Sequence, residues 1–235
     1  MRIARFLTAV VLQLSAVGVS AATVYDVAAD FSIANNPNSV WTYGETVGFG
    51  GTFTQFVTAG TLSPSIDYWR GASAVLGTPA IYRNHSAVPV IRGSVSLGPL
   101  EAGFHPGPVD RDTTYRFTAP TTSLYSFDGR FFGQDTQGTT TVVGIFINSI
   151  QQGGTISIIG FGAPSTQSRV ATYSLAAGDH LDISVANGGG VNTFLYDSTG
   201  LSVTIAAVPV PEPMTVAMLL AGLGVVGFAA RRRQR

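Results

Sequence analysis

Three histidines are the residues of this sequence best suited to acid–base chemistry, and they are isolated from one another. His85, His105 and His180 have no G-x-S-x-G elbow, H-E-x-x-H pair or phosphate-binding loop beside them. His105 lies in HPGP, a sequence in which an imidazole can brace a turn. The chain contains no cysteine, which excludes disulfides, thiolate metal sites and cysteine nucleophiles. We therefore predict no catalytic residue.

Two pairs of carboxylates keep one alternative open. Glycoside hydrolysis uses two acidic side chains that flank the scissile bond. Asp110 with Asp112, and Asp179 with Asp182, are close in sequence, a spacing that is more typical of turns. A hydrolase that acts on matrix polysaccharide is therefore the alternative function.

Side chains of the kinds that recognise sugars occur in two stretches. Flat rings stack on the C–H faces of sugars, and amide or guanidinium groups bind their hydroxyls. The chain offers, in this class, Asn36, Asn38, Trp41, Tyr43, Tyr68, Trp69, Arg70 and Asn84. Among these we predict Trp41, Tyr43, Trp69 and Asn84 as sugar-binding residues. The alternative is that the two tryptophans pack in the core or at a sheet edge.

Three aspartates suggest a calcium site. Asp26 and Asp30 lie near the start of the body of the chain, and Asp197 lies near its end. If the two ends meet in a sandwich, these carboxylates can supply the oxygen ligands that calcium prefers. Capping and turn roles are the alternative, and no other cofactor is predicted.

The elements that must position these residues are predicted to be β-strands. Residues 23–207 are a series of short β-branched and aromatic runs separated by Gly, Pro, Asn and Asp. Apolar and polar residues alternate at 114–119, 123–131, 181–186 and 201–206, whereas 142–147 is apolar throughout and is predicted to be buried on both faces. About ten strands at this spacing predict an all-β fold, a β-sandwich with jelly-roll topology.

Charge is distributed unevenly along the chain. All 13 basic residues are arginines, and six of them lie at the two ends. The body between them holds seven arginines against twelve acidic residues, so its net charge is −5 although the whole chain is neutral. This leaves no basic face for nucleic acid.

The N-terminus resembles an export signal in its order of residues. Arg2 and Arg5 precede an apolar stretch, and Ser20, Ala21 and Ala22 follow it. This order predicts a signal peptide at 1–22, removed by signal peptidase.

The C-terminus carries a second apolar run. A linker at 208–213 contains Pro211, Glu212 and Pro213, residues 214–230 are predicted to form a transmembrane helix, and 231–235 is a basic cytoplasmic tail. The arginines at both ends stay on the cytoplasmic side, so the body is predicted to lie across the membrane. The two prolines stiffen the segment around Glu212, its only charge.

This tail resembles the PEP-CTERM sorting signal. The resemblance rests on Val210-Pro211-Glu212-Pro213, Thr215, Leu219-Leu220, Gly222-Leu223-Gly224 and the terminal arginines. It implies recognition by an exosortase, an integral-membrane cysteine transpeptidase, and it implies export and association with the cell surface and extracellular polysaccharide. An ordinary single-pass anchor with a prolinic linker is the alternative.

The body resembles a recurrent domain of exported bacterial proteins, which is itself similar to sugar-binding jelly rolls. The stretches that carry this resemblance are 30–44, 105–108, 115–131 and 195–205. Together the two resemblances imply an exported surface or matrix protein, anchored in the inner membrane as a precursor. We expect a structural or weak polysaccharide-binding role without catalysis, with exopolysaccharide as the partner.

Overall fold

The structure is a computed structural model that describes residues 22–62, 65–188, 194–208 and 213–233, without the side chains of 73, 213–217 and 233. Its compact β unit spans Thr23–Val208. The predicted signal peptide lies outside the described residues except for Ala22, and so do Pro211 and Glu212 of the sorting motif.

The described part of the body forms short antiparallel strands. They are β1 (Val24–Asp26), β2 (Trp41–Val47), β3 (Phe53–Gln55), β4 (Thr58–Leu62), β5 (Ile66–Val75), β6 (Thr78–Asn84), β7 (Val90–Arg92), β8 (Val95–Leu97), β9 (Ala102–His105), β10 (Arg111–Thr118), β11 (Ser123–Gly133), β12 (Thr139–Ile147), β13 (Ile150–Gln151), β14 (Ile156–Gly160), β15 (Gln167–Leu175), β16 (His180–Asn187) and β17 (Thr199–Ala207). A single 3₁₀ turn, Ala163–Ser165, interrupts the strands of this part.

The strands form two main sheets. Sheet I has the order β15-β11-β17-β9-β6-β5-β4, with β1 added beside β17. Sheet II has the order β13-β12-β16-β10-β2-β3, with β14 beside β12. The strands β7 and β8 form a separate hairpin. The two sheets enclose one apolar core, which confirms the predicted all-β sandwich.

Alternation along the strands decides which side chains enter the core. In β11, Tyr125, Phe127 and Phe131 are buried, while the alternate residues Ser126, Asp128 and Arg130 face solvent. The run at 142–147, predicted to be buried on both faces, is the second half of β12. Its Val143 and Ile145 enter the core, and Phe146 packs on the other face against Phe49, with ring centroids 5.5 Å apart.

The core is mainly aromatic. Phe117 is the centre of one group, with ring centroids 5.2 Å from Tyr25, 5.6 Å from Trp41 and 5.5 Å from Tyr125. Burial of each such side chain on folding stabilises the folded state by about 2 kcal/mol. The body therefore has enough core to be stable without disulfides.

The tail contains one helix, α1, which spans Pro213–Arg233. Among the residues that the structure describes, no helix is long and apolar enough to cross a membrane. The linker at 208–213, the membrane span at 214–230 and the basic tail at 231–235 therefore stay predictions.

Candidate functional site

A groove of about 520 Å³ lies on the face of sheet I that points away from the core. Trp69 of β5 and Ile81 of β6 enter the core. Because side chains alternate along a strand, Tyr68, Arg70 and Tyr82 face the other way and line this groove. We call it the outer groove.

Two tyrosines form the floor of the outer groove, and a glycine on the neighbouring strand makes room for each ring. Gly60 is paired with Tyr68, and Gly103 is paired with Tyr82. A Cβ atom on Gly60 would lie 2.7 Å from Tyr68 Oη, and one on Gly103 would lie 2.9 Å from Tyr82 Cζ. The rings therefore lie against the backbone of the next strand, which gives the groove a flat aromatic floor.

The β7–β8 hairpin forms one wall. Its Val90 and Leu97 pack on Ile66, Ala80 and Tyr82 in a second, smaller apolar cluster. The hairpin is also held by backbone bonds to the segment after β11, since the N–H of Ser96 donates to Gln134 O at 2.9 Å and the N–H of Thr136 donates to Ser94 O at 2.8 Å. The wall is therefore fixed before any ligand arrives.

Asn84 holds the base of this hairpin. Its Nδ2 donates to Val88 O at 2.7 Å and to Gly98 O at 2.8 Å. Val88 precedes β7 and Gly98 follows β8, so the amide joins the two ends of the hairpin. Its Oδ1 accepts from the N–H of Ser86 at 3.0 Å. The side chain is fully buried. Asn84 was predicted to bind sugar directly, and the structure corrects this to a role in positioning the groove wall.

Two arginines bring positive charge to the outer groove. The guanidinium carbon of Arg70 lies 5.0 Å from the centroid of the Tyr68 ring, a cation–π contact that holds it over the floor. Arg92 is exposed at the end of β7 and lines the groove as well. Within the described chain, neither arginine forms a salt bridge.

Asp135 is the carboxylate of the outer groove, and protein donors occupy it. It is 2% exposed and accepts from Ser94 Oγ at 3.1 Å and from the N–H of Gln137 at 3.1 Å. Its oxygens thus fasten the segment after β11 to the hairpin.

His105 contributes a neutral imidazole. Burial lowers its pKa, so the ring is neutral at pH 7. Its Nδ1 lies 2.6 Å from Pro106 O, a partner that only accepts, so Nδ1 carries the proton and Nε2 is left as an acceptor. This contact matches the turn-bracing role predicted for HPGP.

A buried polar network fixes Tyr82 from below. Its hydroxyl donates to Gln134 Oε1 at 3.0 Å, and Gln134 Nε2 in turn donates to Glu101. Burial raises the pKa of Glu101. The Tyr82 hydroxyl is thus occupied within the protein, and the ring contributes mainly its apolar surface to the groove.

The three aromatic residues that we predicted as sugar ligands are core residues. Trp41, Tyr43 and Trp69 are 1%, 0% and 7% exposed. The indole N–H of Trp41 donates to Asp30 Oδ2 at 3.1 Å, and that of Trp69 donates to Ser32 O at 2.7 Å. With both ring faces packed and both N–H groups bonded, these side chains have no free face for a sugar. The alternative of core packing describes both tryptophans.

The outer groove was partly visible in the sequence. Tyr68 and Arg70 were among the residues of sugar-recognising type, and the structure places both in it. Tyr82, Arg92 and Tyr196 were missed. Once Trp69 and Ile81 are assigned to the core, strand alternation alone would have turned Tyr68, Arg70 and Tyr82 outward. Arg92 and Tyr196 come from a hairpin and a loop, whose placement no periodicity predicts.

The predicted calcium ligands do not come together. Asp26 is paired with Thr204, whereas Asp197 precedes β17 at the opposite end of that strand. At about 3.3 Å per residue the two carboxylates are roughly 20 Å apart. Asp26 Oδ1 caps the turn that follows it by accepting from the N–H groups of Ala28 and Ala29, each at 2.8 Å.

Asp30 and Asp197 are engaged at separate places. Asp30 Oδ2 accepts from the N–H of Asp26 at 2.9 Å, and Asp197 Oδ1 accepts from the N–H of Thr140 at 3.1 Å. In the described part of the chain, no three His, Asp or Glu side chains are arranged to hold a metal ion. The expected calcium site at Asp26, Asp30 and Asp197 is therefore corrected to capping and turn roles.

Comparison with known proteins identifies the tail. Residues 209–233 match the model of the PEP-CTERM protein-sorting motif, which confirms the resemblance found in the sequence. No curated protein sequence matches the chain.

Among solved structures, the chain is similar to a family 51 carbohydrate-binding module from Clostridium perfringens, solved with methyl-galactose. The identity is 10% and the TM-score 0.33, over 66% of this chain and 95% of the other. It is also similar to a family 35 carbohydrate-binding module from Clostridium thermocellum, at 12% identity and a TM-score of 0.30, over 64% and 88% of the two chains. Rabbit GITRL matches at 15% identity and a TM-score of 0.27, over 42% and 74%. With TM-scores this low, these likenesses carry no argument about ligand or activity.

Proposed function

We propose that this protein is exported to the cell surface or extracellular matrix, and that its body binds a polysaccharide in the outer groove without turning it over. The observation that carries the proposal is the flat Tyr68 ring beside the Arg70 guanidinium, in a groove of about 520 Å³. A cavity of this size can accept one or a few sugar units.

The chemistry of the groove suits a sugar. The exposed part of the Tyr68 ring offers apolar surface for C–H groups, the guanidinium groups donate to hydroxyl oxygens, and the neutral His105 ring has one acceptor nitrogen. The hairpin wall is fixed by Asn84 and by backbone bonds. A preformed site loses little entropy when it binds.

The sorting motif supports the location. A tail of this family, together with the predicted signal peptide, implies a precursor that meets signal peptidase and then an exosortase at the membrane. Many copies displayed on one surface would raise a weak affinity for a long polymer by avidity.

A Glu212→Ala variant tests recognition by the exosortase. This variant should stay as a longer, membrane-bound form, and processing at the normal rate would contradict exosortase recognition through this motif.

Binding is favoured over hydrolysis by the carboxylates. Glycoside hydrolysis commonly uses two carboxyl groups across the scissile bond. Among the described residues that line the outer groove, Asp135 is the only carboxylate, and its oxygens hold protein N–H and O–H groups. Release of reducing sugar by the purified protein would overturn this part of the proposal.

The test is retention of the full chain on immobilised polysaccharides, screened first by glycan array. Tyr68→Ala should weaken retention about fivefold, since a stacking contact of this kind contributes on the order of 1 kcal/mol. Phe161→Ala is the matched control, because Phe161 is an aromatic residue that is 42% exposed and does not line the groove. The fluorescence of the buried Trp41 and Trp69 reports whether the variants stay folded. Wild-type retention of Tyr68→Ala, or no binding to any polysaccharide, would overturn the proposal.

A further inference from the structure

The charges of the outer groove specify its ligand more closely. Arg70 and Arg92 line the same groove, and in the described chain neither has a carboxylate within salt-bridge distance. The body as a whole has twelve acidic residues against seven arginines. The outer groove thus places two positive groups without an acidic partner on a negatively charged body.

The backbone that carries each arginine is fixed beside the groove. Arg70 lies on β5, between its pairing partners Thr58 and Ala80, and over the Tyr68 ring. Arg92 ends the first strand of the hairpin, paired with Val95, and the hairpin is fastened to the segment after β11. The positive charges are thus placed by two strands that are fixed independently.

The carboxylate of the outer groove forms no salt bridge with either arginine in the described chain. Asp135 is buried, and its two oxygens accept from Ser94 and Gln137. The other acidic side chain near the floor, Glu101, is bonded to Gln134, and burial raises its pKa. No described carboxylate pairs with Arg70 or Arg92, so both guanidinium groups are available to an anionic group of a ligand.

We propose that the outer groove selects polysaccharides that carry anionic groups, either the carboxylates of uronic acids or sulfate esters. This inference rests on the proposed function and adds the ligand class to it. Guanidinium groups bind such anions with two parallel hydrogen bonds, which a neutral hydroxyl does not offer. The part of the Tyr68 ring that the Arg70 guanidinium leaves uncovered then packs on C–H groups of the same or the next sugar unit.

The test compares polymers that differ only in charge. The full chain is titrated at low ionic strength with polygalacturonate, with the same polymer after reduction of its carboxyl groups, with dextran sulfate and with dextran. Binding should be at least about tenfold tighter to one or both anionic polymers than to the matched neutral polymer, and it should weaken as salt is added. Preference for polygalacturonate assigns uronates, and preference for dextran sulfate assigns sulfate esters.

Variants connect the preference to the groove. Arg70→Gln and Arg92→Gln should each lose about tenfold in affinity for the preferred anionic polymer. Arg130→Gln, an exposed arginine on β11 that does not line the groove, should bind as the wild type does. Arg70→Lys keeps the charge without the two-pronged donor and should fall between the wild type and Arg70→Gln.

The outcomes separate the two proposals. Equal binding to charged and neutral forms, with loss of binding in Tyr68→Ala, would overturn the anionic ligand class and leave polysaccharide binding standing. Anionic binding that Arg130→Gln weakens as much as Arg92→Gln would show general charge attraction and overturn the assignment to the groove. No binding to any of the four polymers, or to any glycan on the array, would overturn both proposals.

Discussion

The two outer faces of the sandwich use arginine in opposite ways. On sheet II, Arg116 Nε lies 2.7 Å from Asp182 Oδ1, its guanidinium carbon lies 3.9 Å from the centroid of the Phe53 ring, and the Asp182 side chain is 3% exposed. On the sheet I side, Arg70 of β5 and Arg92 of the β7–β8 hairpin face a groove and form no salt bridge in the described chain. Arginine thus forms a structural ion pair on one face, whereas on the other face it is available to bind a ligand.

The covering of each face explains this difference. The outer face of sheet II carries Phe49 and Phe146 in contact, and the buried hydroxyls of Thr114 and Ser184 lie 2.8 Å apart. A charge in such a place must be paired, because an isolated buried charge is costly. The hairpin on sheet I leaves a groove beside it, where water solvates unpaired arginines until a ligand replaces the water. We infer that unpaired charge beside a fixed wall marks the binding face.

The largest expected effect comes from breaking the pair on sheet II. Arg116→Met removes the partner of Asp182 and leaves a buried carboxylate, which should lower the free energy of unfolding by about 3 kcal/mol. Urea denaturation followed by tryptophan fluorescence measures it, since both tryptophans lie in the core of the body. The control is Arg130→Met, whose exposed side chain should change stability by less than about 0.5 kcal/mol. Equal losses in the two variants would contradict the structural role of the pair.

A smaller effect concerns Asp112, a carboxylate on the outer face of sheet II. Burial, together with the nearby Asp110, raises the pKa of Asp112 from 3.8 to about 7. The fold therefore favours the protonated form, so this group makes the protein less stable as the pH rises from about 4 to about 7 and adds no further change above that.

Replacing Asp112 by Asn should remove this pH dependence. The gain in stability at pH 8 should be about 2 kcal/mol, less than the full pKa shift would allow because the amide is itself a buried polar group. Unfolding curves at pH 5 and pH 8 check the prediction. An Asp112→Asn variant that is stabilised equally at both pH values would show that the carboxyl does not titrate in this range.

The smallest effect is expected on sheet I. Arg92→Gln removes a charge that holds no other part of the protein, so the free energy of unfolding should change by less than about 0.5 kcal/mol. The same urea titration measures it. A loss as large as that of Arg116→Met would mean that Arg92 stabilises the hairpin and would break the contrast between the two faces.

Local alternation was enough to predict the fold but not the site. Runs such as 123–131 show which residues share a face, and the sandwich follows from them. Alternation does not say which face enters the core when both carry aromatic residues, as in Tyr68 and Trp69. Which of the two rings enters the core depends on the volume of the side chain and on a hydrogen-bond partner for the indole N–H. Here the partner of Trp69 is Ser32 O, which lies 37 residues away in the chain.

The calcium prediction failed for a similar reason. The first and last strands of the body do pair, as it assumed, but the register of β1 on β17 sets Asp26 beside Thr204, far along the strand from Asp197. Register depends on pairing between distant segments, which a single sequence does not reveal. The sugar-binding prediction for Asn84 was also wrong, because its buried amide donates to the backbone carbonyls of Val88 and Gly98.

The central claim is that polysaccharide lies against Arg70 and Arg92 in the outer groove. Modification of the full chain by phenylglyoxal, followed by peptide mass spectrometry, tests it directly because the reagent attacks arginines that are accessible. With saturating polygalacturonate or dextran sulfate, whichever binds, we expect Arg70 and Arg92 to be protected and the exposed Arg130 to react as it does in the free protein. Protection of Arg130 with unchanged reaction at Arg70 and Arg92 would contradict the claim.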